Sequence, residues 1–127
     1  MLNRVHELDT SLFSSIVSET TEADRQSLLA LQSCLKARAG YVYMEIGSHL
    51  GGTIQPYYLD PSCAKIYSID KRPLVQPDER GVEFHYPDNS SSRMLEGLAA
   101  AFPSSDHTRI SAHTGWAATG YRIPTIK

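Results

Sequence analysis

Tyr41-Val42-Tyr43-Met44-Glu45-Ile46-Gly47-Ser48-His49-Leu50-Gly51-Gly52 joins an apolar run to a glycine-rich loop. A second apolar run, Lys65-Ile66-Tyr67-Ser68-Ile69, ends in Asp70. Together they predict strand, glycine loop, helix, strand, acid. Glycine at a strand-to-helix turn permits positive φ and close approach of a ligand to the main chain, and the helix start offers it unpaired N–H groups. A carboxylate about 20 residues further on, at the tip of the next parallel strand, can accept hydrogen bonds from both hydroxyls of a ribose. This is the layout of a nucleotide-type cofactor site.

The 41–46 run is apolar nearly throughout, which predicts a parallel strand buried on both faces and central in its sheet. Residues 51–60 read as the crossover helix, with Pro56 tolerated near the first turn and Tyr57 and Tyr58 as packing residues. A polar loop over 76–81 and a short extended piece over 82–86 follow Asp70. Asp88-Asn89-Ser90 carries N-cap chemistry for a helix bearing Met94, Leu95, Leu98 and Phe102 and stopped at Pro103. A third strand is expected over 108–112.

Upstream, Val5, Leu8, Leu12 and Ile16 give one apolar face to a helix over 4–18. Thr21 with Asp24 forms a capping box for a second helix through Leu28, Leu31, Leu35 and Ala39, stopped by Gly40. These two helices are expected to pack against the sheet edge or to cover a cofactor mouth. The order β-α-β-α-β specifies an α/β fold, a Rossmann-like open parallel sheet with right-handed crossovers. The expected organisation is a helical segment over 1–40 and a partial Rossmann-like domain over 41–127.

Twelve basic residues against 14 acidic ones give no electrostatic case for nucleic acid or an anionic membrane, so small polar substrates or cofactors fit better. No apolar run approaches about 20 residues, and Met1-Leu2-Asn3-Arg4-Val5-His6-Glu7 lacks the apolar core of a signal peptide. A cytoplasmic protein is expected. Cys34 and Cys63 have neither CxxC spacing nor a metal-type histidine cluster nearby, and read as reduced thiols with no metal site. Residues 107–127 contain no acidic residue, although the preceding 106 hold all 14, and they show no clear period.

The loop separates two cofactor classes that share this topology. The NAD fingerprint G-x-G-x-x-G does not fit glycines at 47, 51 and 52 without a gap, and position 49 is histidine. Glu45, two residues before the first glycine, suits the ammonium and sulfonium of S-adenosylmethionine, whereas a carboxylate there would repel a pyrophosphate in a partly desolvated site.

At these residues the chain resembles the class I S-adenosylmethionine-dependent methyltransferases. Residues 45–52 are similar to their first motif, E-x-G-x-G-x-G, with His49 in place of the middle glycine, and closer still to the E-I-G-S-x-x-G-G subgroup. Ser68-Ile69-Asp70 resembles the second motif, and the likeness covers residues 41–112. The resemblance implies that Gly47, Ser48, Gly51 and Gly52 line the methionine end of the cofactor, that Glu45 orients its ammonium directly or through water, and that Asp70 holds the ribose diol. Lys71, which follows Asp70, is a candidate for the adenine rim.

The departures have consequences too. Ile110-Ser111-Ala112-His113-Thr114 lacks the acid that family members place after the third strand to meet the adenine amino group. The family's sheet continues through later strands that supply much of the substrate site, so this sheet of about three strands is incomplete. In the family's order the 41–46 strand has a neighbour on each side, and an apolar strand left at an edge is a pairing hazard. A missing C-terminal half, or a second copy of the chain, is therefore the expected partner. The implied reaction is methyl transfer to an oxygen or nitrogen of a small molecule, with His49 and His85 as candidate general bases. Alternatives are a non-catalytic remnant or interaction module, and an NAD-binding Rossmann domain.

Overall fold

The computed structural model describes residues 2–35, 38–70 and 89–114. In chain order these form helix α1 (Leu2–His6), a 3₁₀ turn (Thr10–Phe13), α2 (Glu22–Leu35), β1 (Tyr41–Ile46), α3 (Gln55–Leu59), β2 (Cys63–Asp70), α4 (Ser91–Ala101), a second 3₁₀ turn (His107–Arg109) and β3 (Ile110–Thr114). The strands make one parallel sheet in the order β1-β2-β3, the expected incomplete Rossmann-like α/β arrangement. The extended piece expected over 82–86 lies outside the described residues.

The single helix expected over 4–18 is instead a short helix and a turn. Leu8 takes φ +55°, the Asp9 amide donates back to Arg4 O and the Leu8 amide to Val5 O, which together close α1. Asp9 then caps the 3₁₀ turn by accepting from Ser11 N at 3.1 Å, while Arg4 Nε donates to its other oxygen at 2.7 Å. Val5, Leu12 and Phe13 still meet Leu29 of α2 in a small core of their own.

The capping box forms as expected, with Asp24 N donating to Thr21 Oγ1 at 3.2 Å and Thr21 N to Asp24 Oδ2 at 3.0 Å. The buried stripe of α2 is rotated from the one expected. Leu29 and Gln32 are buried, whereas Leu31 is 55 % exposed. Gln32 turns inward because its Nε2 donates to Pro56 O at 3.0 Å, at the start of α3. The described helix stops at Leu35, short of Ala39, and Gly40 follows with φ +81°.

Ile54, Tyr57 and Tyr58 from the α3 region share one core with Met94 and Leu98 of α4, and with Tyr41, Cys63, Ile66 and Ile110 of the sheet. Tyr43 of β1 stacks on Tyr57 with ring centres 3.7 Å apart. Both crossover helices therefore cover the same face, the one bearing Tyr43, Ile66 and Ile110 at a single register level. On the opposite face Val42, Met44 and Ile46 are 36 %, 38 % and 54 % exposed. The expectation that β1 is central and buried on both faces is corrected: among the described strands it is an edge, with one face open.

β3 begins at Ile110, two residues later than expected, because Asp106 accepts from Thr108 N and holds the 3₁₀ turn there. Ser90 caps α4 by accepting from Arg93 N at 3.1 Å, as the turn chemistry predicts.

Candidate cofactor site

Each part of the glycine loop has its own steric task. Gly47, at φ +82°, donates to Ile69 O at 2.7 Å and has open space where a side chain would sit. His49, at φ +49°, occupies the left-handed region where glycine is at ease, at the very position of the middle glycine in the family motif. That conformation aims its backbone N–H at Asp70 Oδ2, 2.6 Å away, and so ties the loop to the tip of β2. Gly51, at φ +89°, sits on α4, and a Cβ there would lie 3.3 Å from Met94 Cγ and from Leu98 Cδ1.

A cavity of about 380 Å³ opens over this loop, toward the lower end of the roughly 300–1,000 Å³ usual for ligand pockets. Gly47, Ser48, His49, Gly52, Thr53 and Asp70 line one side. Val17, Ser18, Glu19, Thr20 and Asp24 form the other, and Asn89 at the approach to α4 completes the wall. Four of the six residues expected to meet a cofactor, Gly47, Ser48, Gly52 and Asp70, are thus brought together. Gly51 and Glu45 are not in the wall: Gly51 packs against α4, and Glu45 stands behind Thr53.

Glu45 Oε1 accepts from Tyr43 OH at 2.9 Å and from Thr53 Oγ1 in a very short hydrogen bond. Its Oε2 is buried without a partner among the described residues. Burial raises the carboxyl above its ordinary range, against the hydrogen bonds from Thr53, Tyr43 and Ser48 that favour the ionised form. Among the described residues the wall carries three carboxylates, Glu19, Asp24 and Asp70, and several hydroxyls, with no lysine or arginine. Arg25 donates to two wall residues, to Ser18 O at 3.3 Å and to Thr20 Oγ1 at 3.4 Å. The carboxylates and hydroxyls described suit a cation or a polyol.

His85 and Lys71 lie outside the described residues. Cys34 is exposed and Cys63 buried, both as free thiols, and no group of metal-ligating side chains occurs among the described residues. No helix among them is long and apolar enough to cross a membrane. Residues 17–20, Thr53 and Asn89 of the wall escaped the sequence reading. Ser18, Thr20, Thr53 and Asn89 gave only hydroxyl and amide side chains flanking the predicted elements as a signal, and Val17 and Glu19 gave none. Gln55, which braces the wall from below, gave none, since an inward glutamine and a solvated one read alike.

None of the protein-family models, curated proteins or solved structures compared with this chain matches it.

Proposed function

We propose that this chain is the cofactor-binding part of an S-adenosylmethionine-dependent methyltransferase that acts on an oxygen or nitrogen of a small molecule in the cytoplasm. The observation that carries the reading is the cavity wall, which brings Gly47, Ser48 and Gly52 of the glycine loop together with Asp70 at the tip of β2. A sulfonium, an ammonium and a ribose diol match the carboxylates and hydroxyls of that wall. In this reading Asp70 accepts from the ribose hydroxyls while the His49 N–H fixes its carboxylate. Gly47 gives the methionine end access to the main chain, and Ser48 lines the same corner. Glu45 acts through Thr53, which stands between it and the cavity.

The cofactor supplies a methyl group on a cationic sulfur that leaves as a neutral thioether. The protein's contribution is alignment, for which proximity can supply up to about 7–11 kcal/mol, and exclusion of water. The methyl acceptor's half of the site would come from a further segment or a second copy seated along β1. The exposed Val42, Met44 and Ile46 favour that completion, and they equally suit the second reading, an interaction module without catalysis.

Calorimetric titration with S-adenosylmethionine, S-adenosylhomocysteine and NAD separates these. Saturable binding of the first two that weakens at least about tenfold in Asp70→Ala, and less in Asp70→Asn, is expected. Binding of NAD alone overturns the proposal, and a folded chain that binds none of the three is the interaction module.

A further inference from the structure

We infer that Gly52 and Gln55 are positioning residues that hold residues 15–20 as a strap against the glycine loop, so that the protein's own N-terminal segment becomes a wall of the cavity. What the cavity binds rests on the proposed function; how the strap is held does not.

The strap lies between the 3₁₀ turn ending at Phe13 and α2 beginning at Glu22, and it has no ladder or helix to satisfy its backbone. Gln55 does this. Its fully buried amide accepts from Ser15 N at 3.1 Å and Ile16 N at 3.0 Å, and donates to Phe13 O at 2.9 Å and Ile16 O at 2.8 Å. It also donates to Gly52 O at 2.8 Å, so one side chain ties strap and loop together.

Gly52 provides the fit. A Cβ there would lie 2.6 Å from Ser18 Cβ, 2.7 Å from Val17 O and 2.9 Å from Ser18 Cα, closer than side chains approach one another. The second glycine of the Gly-Gly pair is therefore required by the strap, whereas Gly47 leaves its space open to a ligand. Side-chain burial contributes little: Val17 is 88 % exposed, and only Ile16 packs against the core. The strap delivers Ser18, Glu19 and Thr20 to the wall, so releasing it opens the cavity while Asp70 and the loop stay in place.

Amide hydrogen exchange on the full chain, followed by nuclear magnetic resonance, tests the attachment. Gln55→Met and Gly52→Ala are each expected to accelerate exchange at Ser15 and Ile16 at least about tenfold, with Ile66 and Tyr67 in β2 unchanged as a control for folding. Gln55→Glu keeps the acceptor for both amides but sets a carboxylate against three carbonyls. Protection should be lost at neutral pH and recovered as the carboxyl is protonated, a rescue that general loosening would not produce. Affinity for S-adenosylhomocysteine should fall about tenfold in the two released variants.

Unchanged exchange at Ser15 and Ile16 overturns the attachment. Accelerated exchange with unchanged affinity overturns the strap as a wall. If the unaltered chain binds no S-adenosylhomocysteine, the cofactor reading fails, and the exchange rates alone still decide whether Gln55 and Gly52 hold the strap. If Gln55→Met also loosens β2, the pH recovery of Gln55→Glu decides.

Discussion

Glu45 is the residue whose environment has the most measurable consequence. Burial raises its carboxyl above the ordinary 4.5, so the folded protein holds that proton more tightly than the unfolded chain does. Stability from this group is fullest below 4.5 and declines as pH rises toward the raised value, because ionisation then occurs without solvent around Oε2. Glu45→Gln has no proton to lose. The melting temperature of the variant minus that of the natural chain is expected to increase from pH 4.5 to pH 7, which thermal melts across that range would check. A constant difference would mean that the buried charge is relieved by other means. The lowered carboxyls of Asp9, Asp24 and Asp106 are shared by both proteins, so they cancel. At this scale the places of Gly47 and Asp70, each at the tip of its strand, were legible because they depend on position alone. Gly51 and Gly52 were visible as glycines but not in their tasks, since only packing reveals that one makes room for α4 and the other for the strap.

Elements were legible where capping is local. Ser90 and the pair Thr21 and Asp24 start their helices as their sequence neighbours indicate. Ser90→Ala, which removes the acceptor for Arg93 N, is expected to lower stability by about 1 kcal/mol in urea unfolding. Ser92→Ala, one turn position inside and exposed, should change it by less than about 0.5 kcal/mol. Elements were misjudged where an apolar period continued across a break. Leu8 keeps the spacing of a helix face yet adopts φ +55°, because the Asp9 cap and the Arg4 pairing favour a turn. Similarly, Asp106 delays β3 by capping a 3₁₀ turn within residues that read as strand.

At the scale of the molecule, the strand order decides what the apolar period of β1 cannot. Parallel strands with helices on both faces read as continuous apolar runs, and β1 has such a run, but both described crossover helices settle on one face. Val42, Met44 and Ile46 are left on the other, beside an edge with no described neighbour. Concentration-dependent association is the expected result, and Ile46→Lys should suppress it when light scattering is followed across a dilution series. Association unaffected by the lysine would move the contact elsewhere. The strap has a separate consequence, in the order of synthesis. Gln55 lies 40 positions after Ser15, so at about 5–20 residues per second its backbone partners wait roughly 2–8 seconds for it. The apolar contacts among Val5, Leu12, Phe13 and Leu29 need nothing from the sheet. The first helices therefore have contacts of their own to gather around, which Leu59 of α3 joins only later, and Gln55 is the side chain that fastens the segment between them to the glycine loop.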